Sequence, residues 1–147
     1  MFRINWSRLI IGAIVAAIIC FFTDGFFHEK VVTADWKAIY DTLGITNPAH
    51  NSAHLAYFAL FELGRGFISI LFYVLLRPHC RPGPKTAAIA GVIGWIAFSV
   101  TGPAQFIPLG FFSHALWIKV GAFHLITSII ATLAGAALYK DPATLAD

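Results

Sequence analysis

Asp24, Glu62, Arg65 and His124 are ionisable residues set inside long apolar stretches, with Thr101 at the end of another. Glu62 and Arg65 lie three apart, so on a helix their side chains share a face and can pair. A guanidinium has five N–H donors in a rigid fork. Arg65 can therefore bridge Glu62 to a second carboxylate, Asp24, with His124 as a further partner. Three chemistries fit this set. A carboxylate beside a histidine in a partly dry site has an altered proton affinity, which suits proton-coupled transport or a proton-transfer step. Arg65 could instead hold an anionic or quinone-like oxygen between Trp95, Phe98 and Phe123. The same charges could also satisfy one another and lock helix register.

Other chemistries have thinner support. Asp24 and His28 are spaced i,i+4, as are His50 and His54, and His114 falls on the same side, so His28, His50, His54 and His114 are candidate ligands for zinc or copper. No HExxH pair accompanies them. A membrane haem asks for histidines on facing helices at matching depth, and only His124 is well inside; His79 reads as a loop residue. No serine sits in a Gly-x-Ser-x-Gly turn. Cys20 and Cys80 fall at different depths and read as unpaired thiols, Cys20 on a packing stripe. The sequence indicates no particular cofactor.

The elements that position these residues follow from composition. Of 147 residues, 59% are hydrophobic and 12% charged, against about 25% charged in soluble domains, so the solvent must be lipid. Apolar segments at about 9–28, 53–76, 85–102 and 113–139 each approach the roughly 17 to 25 residues that a membrane-crossing helix needs. Arg3 and Arg8 precede the first, but no small-x-small cleavage pattern follows, so it reads as a span and not a signal peptide. The expected fold is a single all-α domain over residues 1–147, an integral membrane four-helix bundle.

Lys and Arg collect in short cytoplasmic loops. Arg3, Arg8, Arg77, Arg81, Lys85 and Lys140 mark one side, which places both termini in the cytoplasm, while Lys30, Lys37 and Lys119 lie opposite among Glu29, Asp35 and Asp41. The net charge of +3 thus reflects topology and does not point to nucleic acid. Residues 77–85 combine turn formers with positive charge, a stiff hairpin in which Arg77, Arg81 and Lys85 could bind anionic lipid headgroups. The Asn5-Trp6-Ser7 sequon lies on the cytoplasmic side and carries no weight.

After the first span, Val31 to Gly44 reads as a short interfacial helix: Trp36, Ile39, Tyr40 and Leu43 recur at helical spacing, with Thr33 as cap and Gly44 as stop. Gly102-Pro103 interrupts the third span ahead of an apolar stretch from Phe106 to Phe112 that either re-enters the bilayer or packs over the mouth of the bundle.

Each span carries a stripe of small or polar residues: Ala13, Ala17, Cys20 and Asp24; His54, Glu62, Arg65 and Ser69; Ala90, Gly94, Ala97 and Thr101; His124, Ser128, Ala131 and Gly135. Helices in lipid associate by close packing of such residues, so the stripes are expected to face one another. Counting up from the basic residue at each cytoplasmic edge at 1.5 Å per residue puts Asp24, Glu62, Thr101 and His124 all about 22 to 24 Å above it. The spacing predicts one polar layer in the outer third of the membrane.

The chain resembles a group of small four-span bacterial inner-membrane proteins of no established activity. The likeness rests on Asp24-Gly25-Phe26-Phe27-His28, on Arg77-Pro78 with Pro82-Gly83-Pro84-Lys85-Thr86-Ala87, and on Gly135-Ala136-Ala137-Leu138-Tyr139-Lys140-Asp141. It implies a bacterial inner membrane and the four-span topology; Glu62 with Arg65 is not part of that pattern. With little extramembrane mass, no catalytic motif and many lipid-facing aromatics, the chain is expected to be a non-enzymatic membrane subunit. It would act in a larger complex, of respiratory or photosynthetic type, or as a homo-oligomer. The alternatives are a small-molecule-binding or proton-coupled transport protein using the polar layer, and a metal- or quinone-dependent enzyme. Its partners would be the bilayer and other membrane subunits or itself.

Overall fold

Side chains that prefer lipid to water leave the backbone one way to satisfy its own polar groups, the helix, and the computed structural model is built accordingly. It describes residues 3–111 and 113–141, and among these every regular element is helical. Phe112 and the ends of the expected 1–147 domain fall outside the described residues.

Helix α1 spans Trp6–Lys30, its first turn closed by Asn5, whose side chain accepts from the Arg8 amide. The amphipathic α2, Thr33–Leu43, ends at Gly44 with φ 66°, a left-handed conformation suited to glycine. A turn at Pro48–His50 leads to α3, Ser52–Leu76, capped by Asn51. Helix α4, Pro84–Trp95, runs through a π-helical turn at Ile96–Val100 into α5, Thr101–Ala104, and α6 covers His114–Ala137, capped by Ser113. Helices α1, α3 and α6, with the continuous stretch Pro84–Ala104, have the length and hydropathy of membrane spans. The chain is an all-α, multi-pass membrane protein.

Thr33 differs from its expected role. Val32 precedes α2, and the Thr33 hydroxyl turns back to donate to the Glu29 carbonyl, so it serves the end of α1 and not the start of α2. The segment after Pro103 forms turns, with the Phe106 and Phe111 rings edge to face at 6.1 Å. Gly110 and Phe111 border a cleft of about 430 Å³ facing Ala34 and Ala38 of α2, so the segment lies beside that helix.

Around the bundle, α1 and α4 each pack against both α3 and α6. Small residues set the spacing. A Cβ added at Gly12 would lie 2.6 Å from the Gly135 carbonyl oxygen, one at Gly66 2.9 Å from the Ala17 nitrogen, and one at Gly91 2.9 Å from the Ser128 carbonyl oxygen. The backbones of α1 and α6, α3 and α1, and α4 and α6 therefore touch almost directly. Leu9, Ile70, Val74 and Ala90 fill the remaining interior toward the chain termini. At the opposite end Phe27, Val32 and Leu116, with Trp36 and Ile39 packed against them, seat α2 on the bundle.

Three stripe residues are not in the interior: His54, Ala97 and Thr101 are exposed. His54 lies in the first turn of α3, beyond the level where the bundle closes. Ala97 and Thr101 are displaced by the π turn. An i→i+5 turn holds one residue more than an α turn, so everything after it is rotated by about 100°, one residue's share of a 3.6-residue turn.

Gly12→Val is expected to force α1 from α6 and lower stability by at least about 1 to 3 kcal/mol, as over-packing does. Gly64→Ala, at a position with nothing within 4 Å of a new Cβ, is expected to leave stability unchanged or slightly raised. Thermal unfolding in mild detergent compares them.

Candidate functional site: a buried polar layer

Arg65 is 1% exposed and stands at the centre of the layer. Its Nη1 donates to Asp24 Oδ2 at 2.6 Å, joining α3 to α1. The same Nη1 reaches Glu62 Oε1 at 3.4 Å, and Nε lies 3.2 Å from Glu62 Oε2 without hydrogen-bonding geometry. One guanidinium thus serves two carboxylates unequally, with Asp24 held closely and Glu62 loosely. Nη2 has no hydrogen-bond partner among the described residues.

Asp24 is the hub. Thr127 of α6 donates to its Oδ1 at 3.4 Å, and His124 Nε2 lies 3.3 Å from its Oδ2. The other ring nitrogen of His124, Nδ1, is 3.1 Å from the Ser99 hydroxyl. All four sides of the bundle therefore meet here, with Asp24, Glu62 and His124, which the depth count sets at one level, gathered around Arg65.

Thr101 is the correction. Its hydroxyl donates to the carbonyl of Ala97 on its own helix, and the inward position belongs to Ser99, which is 5% exposed. Sequence reading passes over Ser99 because regular helical offsets from Ala90 and Gly94 arrive at Ala97 and Thr101; only the π turn brings Ser99 round. The closing Gly102-Pro103 step was the available signal, since a proline removes a backbone donor and disturbs the ladder before it.

His28 lies one turn beyond Asp24 on α1, its ring centroid 5.7 Å from that of His124 and 5.5 Å from Trp36 of α2. Trp36 stacks with Tyr40 at 5.9 Å. Burial pushes the Tyr40 phenol above its ordinary value, and the charge of Glu29 adds to the effect. Phe27 and Phe123 stack face to face at 3.9 Å beside the two histidines.

The candidate walls for a bound small molecule already have protein partners. Phe123 stacks on Phe27, Phe98 meets Phe61 edge to face at 5.7 Å, and the Trp95 indole donates to the Gly121 carbonyl at 2.8 Å. Metal ligation does not follow the spacing either. His50, His54 and His114 are exposed on separate elements, and His28 is half-buried on a fourth. No three His, Cys, Asp or Glu converge among the described residues in a way that could hold a metal ion. The i,i+4 register of His50 and His54 is broken by the short turn at Pro48–His50 before α3 begins. Cys20 is buried beside Arg65, and Cys80 is a free thiol at the hairpin.

Of the lipid-headgroup candidates, Arg81 and Lys85 are exposed, but Arg77 is committed within the protein. Its guanidinium lies 4.9 Å from the centroid of the Tyr139 ring and 5.6 Å from that of Tyr73, and it pairs with Asp141 at 2.6 Å. The Asn5 amide donates to the Tyr139 hydroxyl. Comparison with family models, with curated proteins and with solved structures finds no match.

Removing Arg65 leaves two carboxylates without their shared cation, so Arg65→Met is expected to cost about 3 to 5 kcal/mol. Ser99→Ala, which strips His124 of one partner, is expected to cost about 1 kcal/mol, and Thr101→Val close to nothing. Chemical unfolding of the three variants in detergent ranks them.

Proposed function

We propose that the polar layer is a proton-binding site and that the chain is a proton-coupled membrane protein. The observation that carries this is the charge count. Asp24 and Glu62 bring two negative charges and Arg65 one positive, in a site closed to solvent on every side chain involved. With neutral imidazoles the layer is one charge short. An unbalanced ion at such a depth costs on the order of 2.5 to 3.5 kcal/mol. A proton restores neutrality, on a carboxyl or on His124, and Glu62, with the weaker contacts to Arg65, is the carboxylate suited to carry it. A proton is favoured over a metal ion because Arg65 already occupies the position between the carboxylates.

Infrared spectra of the reconstituted protein are expected to show a protonated-carboxyl stretching band at low pH that fades as pH rises and is missing from Glu62→Gln. If no such band exists at any pH, the layer is a permanently ionised lock and the reading fails.

A second reading has its own support. In the Pro84–Ala104 span only 28% of the most apolar window is buried within the chain, and Phe22, Phe26, Tyr57 and Leu60 are each about two-thirds exposed. These flanks suit contact with other membrane helices. On this reading the chain is an accessory, non-enzymatic subunit of a larger assembly or a homo-oligomer, and it could bring the proton site to that assembly. The clustering of Arg3, Arg8, Arg77, Arg81 and Lys85 at one end supports cytoplasmic termini in a bacterial inner membrane. Native mass measurement after mild extraction is expected to show a species larger than one chain. A bare monomer across several detergents would remove this second reading.

A further inference from the structure

The proton-binding reading leaves open from which side the proton arrives, and the two ends of the bundle differ in what they offer it. Toward α2 lie two imidazoles, beside the cluster of Phe27, Val32 and Leu116. His28 lies one turn from Asp24 on the same helix and its ring adjoins that of His124, which in turn contacts Asp24. His28 Nε2 is buried without a hydrogen-bond partner, and the residue as a whole is half-buried under Trp36. Toward the chain termini the layer meets Ser69 and Ser128, then Leu9, Ala13, Ile70 and Val74. Among these the backbones of Gly12 and Gly135 meet, and the Arg77 cluster with Tyr73 and Tyr139 closes the end. No carboxylate or imidazole lies on that side of the layer among the described interior residues.

We propose that the layer exchanges protons with the α2 side of the membrane alone, through a relay in which His28 takes up the proton and His124 delivers it to Asp24. Only a proton moves. Hydronium on the α2 side becomes water, each imidazole is charged in passing and neutral afterwards, and Asp24 or Glu62 ends as a carboxyl. A ring separation of 5.7 Å is spanned by one water or by reorientation of the His28 ring.

The groups that face the relay come from every element packed against it. On α1 lie the carboxylates of Asp24 and Glu29, the latter accepting from Asn47 at 2.8 Å. From α3 come the Arg65 guanidinium and the Glu62 carboxylate beside it. On α6, Thr127 and His124 complete the surroundings, with Ser99 from the π turn and Cys20 from α1 below; α2 contributes Trp36 and Tyr40. In this relay the histidines pass the proton and the carboxylates hold it.

The inference depends on the proton-binding reading, so the two are tested in order. The carboxyl band is first titrated in detergent, where both ends are open; a band that never responds to pH overturns the site itself. The full chain is then placed in vesicles in one orientation, fixed by a tag at the terminal end, and pH is stepped separately on each side. A step on the α2 side is expected to change the band, and a step on the other side is not. His28→Phe is expected to slow the response by about a hundredfold, the scale of a lost proton-transfer group, while titration in detergent persists. His114→Phe, at an exposed position near the same end, is expected to respond as the parent does. Equal responses from both sides, or a His28→Phe protein as fast as the parent, would overturn the relay. If His28→Phe does not fold, the sidedness of the parent decides alone.

Discussion

A guanidinium buried in a membrane must be paired, and the rest of this structure can be derived from that need. Arg65 cannot reach water through the bundle, so carboxylates must come to it, one from its own helix and one from α1. Asp24, drawn in, has spare acceptor capacity, and Thr127 and His124 of α6 turn toward it. His124 then needs a partner for its second nitrogen, and Ser99 supplies one from the fourth span. Each residue in the chain of contacts is there because the one before it was left incomplete. Lipid cannot drive helices together as water does, so such contacts also specify which helix faces which.

Polar contacts of this kind need helices at a fixed distance, and the small residues provide it. Gly12 against Gly135 and Gly66 against Ala17 bring α1 close to both α6 and α3, near enough that Asp24 meets Arg65 at hydrogen-bonding distance. Ordinary apolar side chains at those seams would hold the helices further apart, beyond the reach of a short aspartate. Glycine and charge are therefore two halves of one arrangement.

Much of this was legible in the sequence because lipid imposes simple rules. Spans follow from length and composition, and helical rise alone places Asp24, Glu62 and His124 at a common level, with Arg65 one turn from Glu62. What escaped depends on departures from regularity or on distant partners. Ser99 replaces Thr101 because a π turn shifts the phase of the third span, and no count at regular helical spacing contains it. Thr33 looks like a helix start and instead serves the end of the preceding helix. Arg77 looks free for lipid because its partners, Tyr139 and Asp141, are more than sixty residues away in the chain. His50 and His54 share a spacing but not a helix.

The Gly12–Gly135 contact also bears on how the bundle moves. Two helices that touch backbone to backbone near one end behave as arms on a pivot. A small angular excursion at the pivot displaces the far ends in proportion to their distance from it. Breathing between α1 and α6 is then least at the Gly12–Gly135 seam and greater beneath α2, where the two histidine rings sit. The tight end gives the loose end its leverage.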